Sequence, residues 1–256
     1  MMPPYKKALT QRYVEDRDAL GVTMQIYVFF LEYKLSMKYS DYTALLSSAR
    51  MSKYIRACNG NKAKAISLYH YNIKLSERMF AVINMFEIIL RNTIDKHYRA
   101  YFSDSDWLVN QAASGKMLSE NASDILAKAN GFKSDGRYSP DRMVSSFMMG
   151  FWTYMFTRRH YKAGGKTLLQ IFPYKAKGTT QKLVYSELGE IRELRNRIAH
   201  HEPICFDSMG KVSTDFASKH YSLIIKYMTA MGLDVKSVLY RIESPKAIIA
   251  QINKMF

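Results

Sequence analysis

Cysteine, glycine and proline are all scarce in this sequence. Cys58 and Cys205 are the only cysteines among 256 residues, and they form neither a CxxC pair nor a set of zinc ligands. Their number excludes a disulfide-rich scaffold, and we expect two free thiols. The 12 glycines and 6 prolines supply few turns and helix breakers, which favours long helices over many short strands.

A hydrophobic run long enough to cross a membrane is also lacking. The longest apolar stretch near the N-terminus, VTMQIYVFFLEYKL at 22–35, is interrupted by Gln25 and Glu32 and is shorter than the roughly 20 residues that a spanning helix needs. The residues before it are polar and contain no apolar core of an export signal. We therefore expect 22–35 to be a buried helix, and the protein to be cytoplasmic without membrane contact.

Acidic residues are outnumbered by basic ones. The chain has 38 Lys and Arg against 22 Asp and Glu, which gives a formal net charge of +16. Such an excess attracts polyanions, and nucleic acid is the class that we expect. The alternative is a basic surface that only aids solubility.

What the sequence has in abundance is helical periodicity. Apolar residues recur with a period near 3.6, most clearly at 61–102, which predicts either one helix or two that break near 69–72. Further helices are predicted at 41–58, around 117–130, and at 143–161, 181–202, 214–231, 234–242 and from 245. These patterns predict one all-α domain over 1–256, with a loop-rich insertion at 103–140 and C-terminal helices at 214–256.

The stretch ELRNRIAHHEPI, at 193–204, concentrates candidate functional residues. On a helix at 100° per residue, Asn196 and His200 share one face, and Arg195 lies about 140° from His200. His201 would stack above Arg197 on a third side. A basic helix end, where Arg and His are common in any case, is the structural alternative.

These residue types suit RNA cleavage without a metal. In that reaction the ribose 2′-OH attacks the neighbouring phosphate, which needs proton transfer and positive charge on the phosphate. Histidine is suited to proton transfer because it titrates near neutrality, and arginine binds two phosphate oxygens with its fork. The sequence contains no HExxH, P-loop or GxSxG motif and no paired-carboxylate metal motif, so we expect neither a metal nor a cofactor.

Several blocks of the sequence resemble one family. Arg195 to His200 matches the Arg-x4-6-His signature of HEPN ribonucleases, and the continuation HEPI resembles the Abi-like (abortive infection, AbiD/AbiF-type) family. Blocks at 47–80, at 86–95 (FEIILRNTID), at 150–156 (GFWTYMF) and at 168–173 (LLQIFP) are similar to the same family in the same order. The resemblance covers about residues 40–206.

The resemblance implies an all-α HEPN-type helical bundle and a metal-independent endoribonuclease of antiphage defence. It also implies RNA as substrate, a cognate small noncoding RNA, and a site formed where two motif helices meet, within one chain or across a homodimer. Carried over residue by residue, Arg195 and His200 are the catalytic pair and Asn196 supports them. His201 is a weaker candidate beside them.

A second match to the signature lies at 91–97, where Arg91, Asn92 and His97 repeat the pattern. Arg91 and His97 are six residues apart, about 120° around a helix. Either this motif is a second half-site that meets the first, or it is structural, with Arg91 paired to a carboxylate such as Glu87.

Other residues are candidates for RNA contact, with solvated surface as the alternative. They are Arg197 and His201 beside the main motif, the basic run Arg158, Arg159, Lys162 and Lys166, and the pair Arg50 and Lys53. Trp107 and Trp152 could stack on bases, although aromatic residues are more often core. A non-catalytic RNA-binding protein is the main alternative function, and a protein-binding partner of a nucleotidyl- or AMP-transfer enzyme is a third.

Overall fold

The computed structural model describes residues 37–256. By its contacts the chain divides between Ile66 and Ser67, so the described residues fall into two units, 37–66 and 67–256. The helix predicted at 22–35 lies outside the described residues. The prediction of one domain over 1–256 stays a prediction.

The prediction of an all-α fold is confirmed. Over 37–256 the chain forms twelve α-helices and no sheet. None of these twelve helices is both long and apolar enough to cross a membrane. They are α1 (Tyr39–Leu46), α2 (Ser48–Ala57), α3 (Lys62–Phe102), α4 (Trp107–Asn110), α5 (Ala122–Ser134), α6 (Pro140–Ser145), α7 (Met149–Tyr154), α8 (Arg158–Ala163), α9 (Gln181–Ala199), α10 (Asp215–Ala230), α11 (Val235–Val238) and α12 (Lys246–Met255).

In the first unit, the single helix predicted at 41–58 is instead two. Ser47 separates α1 from α2 with φ of 74°, a backbone conformation that no helix interior adopts. The Ser47 hydroxyl accepts a hydrogen bond from the Arg50 amide at 3.3 Å and so caps the start of α2. The local hydrogen bond of one serine decides the break.

The long segment at 61–102 is one continuous helix. Its 41 residues span about 60 Å at 1.5 Å per residue. Its fully buried side chains recur three or four residues apart, as the apolar pattern predicts. In the second unit they include Leu68, Leu75, Met79, Val82, Ile83, Phe86, Leu90 and Ile94.

Helices α9 and α10 pack against each other in the second unit. The α9 carboxylates Glu187 and Glu190 pair with Lys226 and Lys219 of α10, at 2.7 and 2.5 Å. The later residue of α9, Glu190, pairs with the earlier residue of α10, Lys219. The two helices are therefore antiparallel. This packing buries the apolar stripe of α9, namely Leu188, Ile191 and Leu194.

The single helix predicted at 143–161 is wrong, because the segment forms α6, α7 and α8. The breaks fall at Met148 and Thr157, whose ψ angles of 169° and 152° are extended. The Thr157 hydroxyl accepts from the His160 amide at 3.4 Å and caps α8. The apolar content that predicted one helix is real, since Trp152 and Phe156 are fully buried.

The predicted insertion at 103–140 is more helical than expected. The helix predicted at 117–130 begins later, at Ala122, and ends at Ser134. Trp107 is fully buried, and its indole N–H donates to Asp95 Oδ1 of α3 at 2.9 Å. Both tryptophans are therefore core residues. Both cysteines are buried, and no disulfide joins them.

Candidate functional site

The helix that carries the main motif ends earlier than predicted. α9 stops at Ala199, and His201 adopts a left-handed φ of 57°. The amide of Glu202 donates to the Arg197 carbonyl at 2.8 Å and that of His201 to Ile198 at 3.0 Å, the two bonds of a Schellman turn. His201 therefore does not stack above Arg197, and the helix predicted to 202 is three residues too long.

Arg197 is held in structural contacts. Its Nη2 donates to the Pro203 carbonyl at 3.1 Å, its Nε lies 3.4 Å from Glu202 Oε2, and its guanidinium lies 4.5 Å from the centroid of the Phe216 ring. These contacts tie the helix end to the turn after it and to α10. Of the basic residues in the motif, Arg197 is therefore the one whose contacts stabilise the fold.

The end of the motif is anchored to α3. The Ile204 amide donates to Asn72 Oδ1 at 2.9 Å, and both residues are buried. A buried amide needs such a partner, so this bond fixes the chain directly after the turn. Asn196 and His200 remain exposed, one helical turn apart on the same face.

Arg195 faces a carboxylate of α3. Its Nε lies 4.0 Å from Glu87 Oε2, and the two side chains are 25% and 14% exposed. Glu87 Oε1 accepts from the Met149 amide at 2.7 Å, so the same carboxylate caps α7. The buried Nε of Arg195 has no hydrogen-bond partner among the described residues. Arg195 is therefore held near Glu87, and its Nε remains able to donate a hydrogen bond.

The remaining contact of Arg195 is weak. Its Nη2 donates to the sulfur of Met148 at 3.7 Å, and thioether sulfur is a poor acceptor. Met148 is 66% exposed. An anionic oxygen would replace this contact with a charge-assisted hydrogen bond.

The second motif is only partly brought to the same place. Arg91 lies one turn after Glu87 on α3, yet Glu87 pairs with Arg195, and within 37–256 Arg91 has no ion-pair partner. The Nε of Arg91 is buried without a hydrogen bond from the described residues, and Asn92 is exposed. Glu87 therefore faces Arg195 of the first motif and precedes Arg91 of the second by one helical turn.

His97 points elsewhere. Its Nε2 lies 2.9 Å from the Thr167 hydroxyl, and its ring stacks on Tyr101 with centroids 6.4 Å apart. Burial lowers the pKa of His97 below its ordinary value. Within 37–256, His97 makes no hydrogen bond with either motif arginine. The geometry of His97 is that of a packed, hydrogen-bonded histidine.

A cavity of about 300 Å³ opens beside the main motif, between α5, α7 and α9. Arg195 and Asn196 line it together with Lys128 and Arg192. Arg192 is steadied by a hydrogen bond to the Thr153 hydroxyl at 3.4 Å. His200 lies one turn beyond Asn196, outside this lining. The cavity therefore presents cationic side chains next to the motif.

The basic run of α8 lies at the opposite end of α9. The Gln181 side chain donates to the Phe156 carbonyl, which places α8 near the start of α9. Arg195 is 14 residues further along, about 21 Å at 1.5 Å per residue. Arg158, Lys162 and Lys166 are exposed, whereas Arg159 pairs with Glu120.

Arg50 and Lys53 belong to α2, in the first unit. Arg50 is exposed and Lys53 is half-buried. His201, beside the motif, is exposed in its left-handed turn.

Three residues of the site were not predicted: Lys128, Arg192, and Glu87 as the partner of Arg195. Glu87 stands in the FEIILRN block, and its spacing of four from Arg91 favoured that pairing instead. Lys128 lies in the segment taken for an insertion, where no pattern linked it to the motif. In residues 37–256, no group of three or more His, Cys, Asp or Glu side chains could hold a metal ion.

Comparisons with protein families, with curated proteins and with solved structures found no match to this chain.

Proposed function

We propose that this protein is a metal-independent endoribonuclease of HEPN type that acts in the cytoplasm in antiphage defence. The observation that carries the proposal is that the residues of the motif fall into two groups, which differ in their contacts with the rest of the protein. Arg197 and Ile204 are bound into the fold, whereas Asn196 and His200 are exposed and Arg195 lines a cavity with other cationic side chains. The residues that match the catalytic signature are the ones with few contacts inside the protein.

In the proposed reaction, Arg195 binds a phosphate oxygen in place of the weak Met148 contact. The ribose 2′-OH attacks the phosphorus, the bond to the 5′-oxygen breaks, and a 2′,3′-cyclic phosphate and a 5′-OH form. His200 transfers a proton at the reacting oxygens, and Asn196 donates a hydrogen bond to the phosphate or to the histidine. Positive charge aimed at the phosphorane is the main source of rate enhancement in such a site.

The resemblance to Abi-like proteins supports two further parts of the proposal. One is a homodimer, in which the exposed His200 faces of two copies share the acid and base roles. The other is a cognate small noncoding RNA that controls the activity. Net charge of +16 supports RNA as the partner in either role.

The test is cleavage of single-stranded RNA by the purified protein, with the product ends identified by mass spectrometry. We expect 2′,3′-cyclic phosphate and 5′-OH ends, activity that persists in EDTA, and loss of cleavage in His200→Ala with RNA binding retained. Cleavage by His200→Ala at the rate of the unsubstituted protein, or restoration of an EDTA-sensitive activity by Mg²⁺, would refute the proposal.

A non-catalytic RNA-binding protein of a defence or toxin–antitoxin ribonucleoprotein is the second candidate. The exposed cations of α8, about 21 Å along α9 from Arg195, favour it because they extend the basic surface well beyond one reacting phosphate. It predicts salt-sensitive RNA affinity without cleavage. RNA that copurifies with uncut ends would support this candidate over the first.

A further inference from the structure

We propose that the cavity between α5, α7 and α9 binds one unpaired nucleobase of RNA, beside the phosphate held by Arg195. This inference rests on the proposed function and names the feature of the substrate that the site selects. The volume of the cavity, about 300 Å³, is at the low end for ligand pockets. It has room for a single nucleotide and not for a duplex.

The cavity lies directly beside Arg195, so its position determines which part of an RNA strand could enter it. Arg195 and Asn196 form part of its lining. A group that enters the cavity therefore lies next to any phosphate that Arg195 binds. In a nucleic acid strand, that group is the base or sugar of the adjoining nucleotide.

The cavity contains a fixed aromatic surface. Phe147 and Phe151 stack with centroids 4.1 Å apart, and the buried Trp152 ring lies perpendicular to Phe151 with centroids 5.1 Å apart. Both rings line the cavity; Phe147 is only 4% exposed, whereas Phe151 is half-buried. A partly exposed ring held in place by neighbouring rings is an arrangement on which unpaired bases stack.

Charges of both signs surround this surface. Lys128 lies 5.5 Å from the centroid of Phe147 and 3.6 Å from Asp124 Oδ1, and Asp124 also lines the cavity. Lys128 and Arg192 suit phosphate, whereas a carboxylate accepts from an exocyclic amine such as that of cytosine. An aromatic face, cations and one acceptor in so small a space match a nucleotide with an amino-bearing base.

Competition by mononucleotides tests this inference. CMP and UMP would each displace a fluorescent single-stranded RNA from His200→Ala, the full chain with cleavage disabled. We expect CMP to compete at least about fivefold better than UMP, because of these two bases only cytosine carries an amine for Asp124. In Asp124→Asn, the difference between CMP and UMP should become smaller. Equal competition by CMP and UMP would overturn the assignment of Asp124, and with it the base pocket.

Substitutions of Phe151 test the aromatic surface in the same assay. Phe151→Leu should weaken CMP about fivefold or more through loss of the stacking face, and Phe151→Tyr should preserve binding. Tyr240→Leu, at a ring 71% exposed outside the cavity lining, is the matched control and should change nothing. Unchanged CMP affinity in Phe151→Leu, or equal competition by an acidic peptide, would overturn the inference.

The two proposals fail differently. Nucleotide binding needs no cleavage, so base discrimination without RNA cutting would refute the ribonuclease and leave the pocket standing. RNA cutting with no effect of Phe151→Leu or Asp124→Asn would refute the pocket alone.

Discussion

The two Arg…His motifs of this chain contain the same residue types but end in different surroundings. The motif at 195–200 lies where α9 ends, so His200 caps the helix and is exposed. The motif at 91–97 lies inside the 41 residues of α3, where the helix continues and turns His97 toward Thr167. The spacing of a motif does not make a site; the place where the helix stops decides which side chains remain available.

The arginines are more alike than the histidines. Arg195 and Arg91 both have a buried Nε without a hydrogen bond among the described residues, and Glu87 lies one turn from Arg91 while it faces Arg195 at 4.0 Å. Only Arg195, however, lines the cavity. We therefore expect the first motif to carry the chemistry and the second to contribute charge and packing.

The largest expected effect separates the two arginines. Arg195→Ala should lower kcat/KM for RNA cleavage by roughly 10²–10³-fold, the usual cost of losing one donor to a developing anion. Arg91→Ala should cost less than about tenfold, since the side chain does not line the cavity. Steady-state cleavage rates of the two variants measure this, and an equal loss in both would make the motifs two halves of one site.

A smaller effect is expected at Glu87, which positions Arg195. Glu87→Gln still accepts the Met149 amide but no longer offers a charge to the arginine. We expect kcat to fall about tenfold through misplacement of Arg195, with KM unchanged or lower, because a negative charge near the phosphate is removed.

The control for Glu87 is Glu77→Gln, at an exposed position on the same helix, which should behave as the unsubstituted protein. Glu87→Asp should recover part of the rate. If Glu87→Gln only lowers the melting temperature and leaves kcat intact, Glu87 is a helix cap and nothing more.

Within the main motif, Arg197 should affect stability and not chemistry. Arg197→Ala removes a hydrogen bond to Pro203, an ion pair with Glu202 and a contact with the Phe216 ring. The free energy of unfolding should fall by about 1–3 kcal/mol, and Arg195→Ala should change it less. Denaturant unfolding of both variants measures the difference; the reverse order would contradict the division of the motif.

How much of this was available from the sequence depends on the range of each interaction. Periodicity predicts α3 and α9, because each buries one continuous stripe. It fails at 143–161, where the Met149 amide at the start of α7 donates a hydrogen bond to Glu87, some sixty positions earlier. It also fails at His201, where a left-handed turn ends α9 before Pro203 can.

In the candidate site too, residues close in sequence were predicted and contacts between distant helices were not. Arg195, Asn196 and His200 could be proposed from the sequence because they are close together in it. Lys128 was missed because its role depends on how α5 packs beside α7, which no local pattern records. The pairing of Glu87 was assigned to the nearer arginine, Arg91, since helix spacing is readable from sequence and contacts between helices are not.

The smallest expected effect concerns pH and the buried histidines. Burial lowers the pKa of His97, His160 and His220 below the ordinary value of 6.5. The unfolded chain then binds more protons, so stability is full above about pH 6.5 and is lost as pH falls below it.

Melting temperatures at pH 7.5 and 5.5 check this, with a decrease of a few degrees expected at the lower pH. His97→Gln should reduce that decrease, because it removes one of the three groups. A melting temperature that rises on acidification would contradict the burial of these histidines.

The most direct test of the central claim compares the two histidines in one RNA-cleavage assay. His200→Ala should lower the cleavage rate by roughly 10²-fold or more, the usual contribution of a general acid or base. His97→Ala, which loses a hydrogen bond to Thr167, should stay within about tenfold of the unsubstituted protein at a temperature where both variants are folded. Equal losses in the two variants, or a greater loss in His97→Ala, would contradict the account.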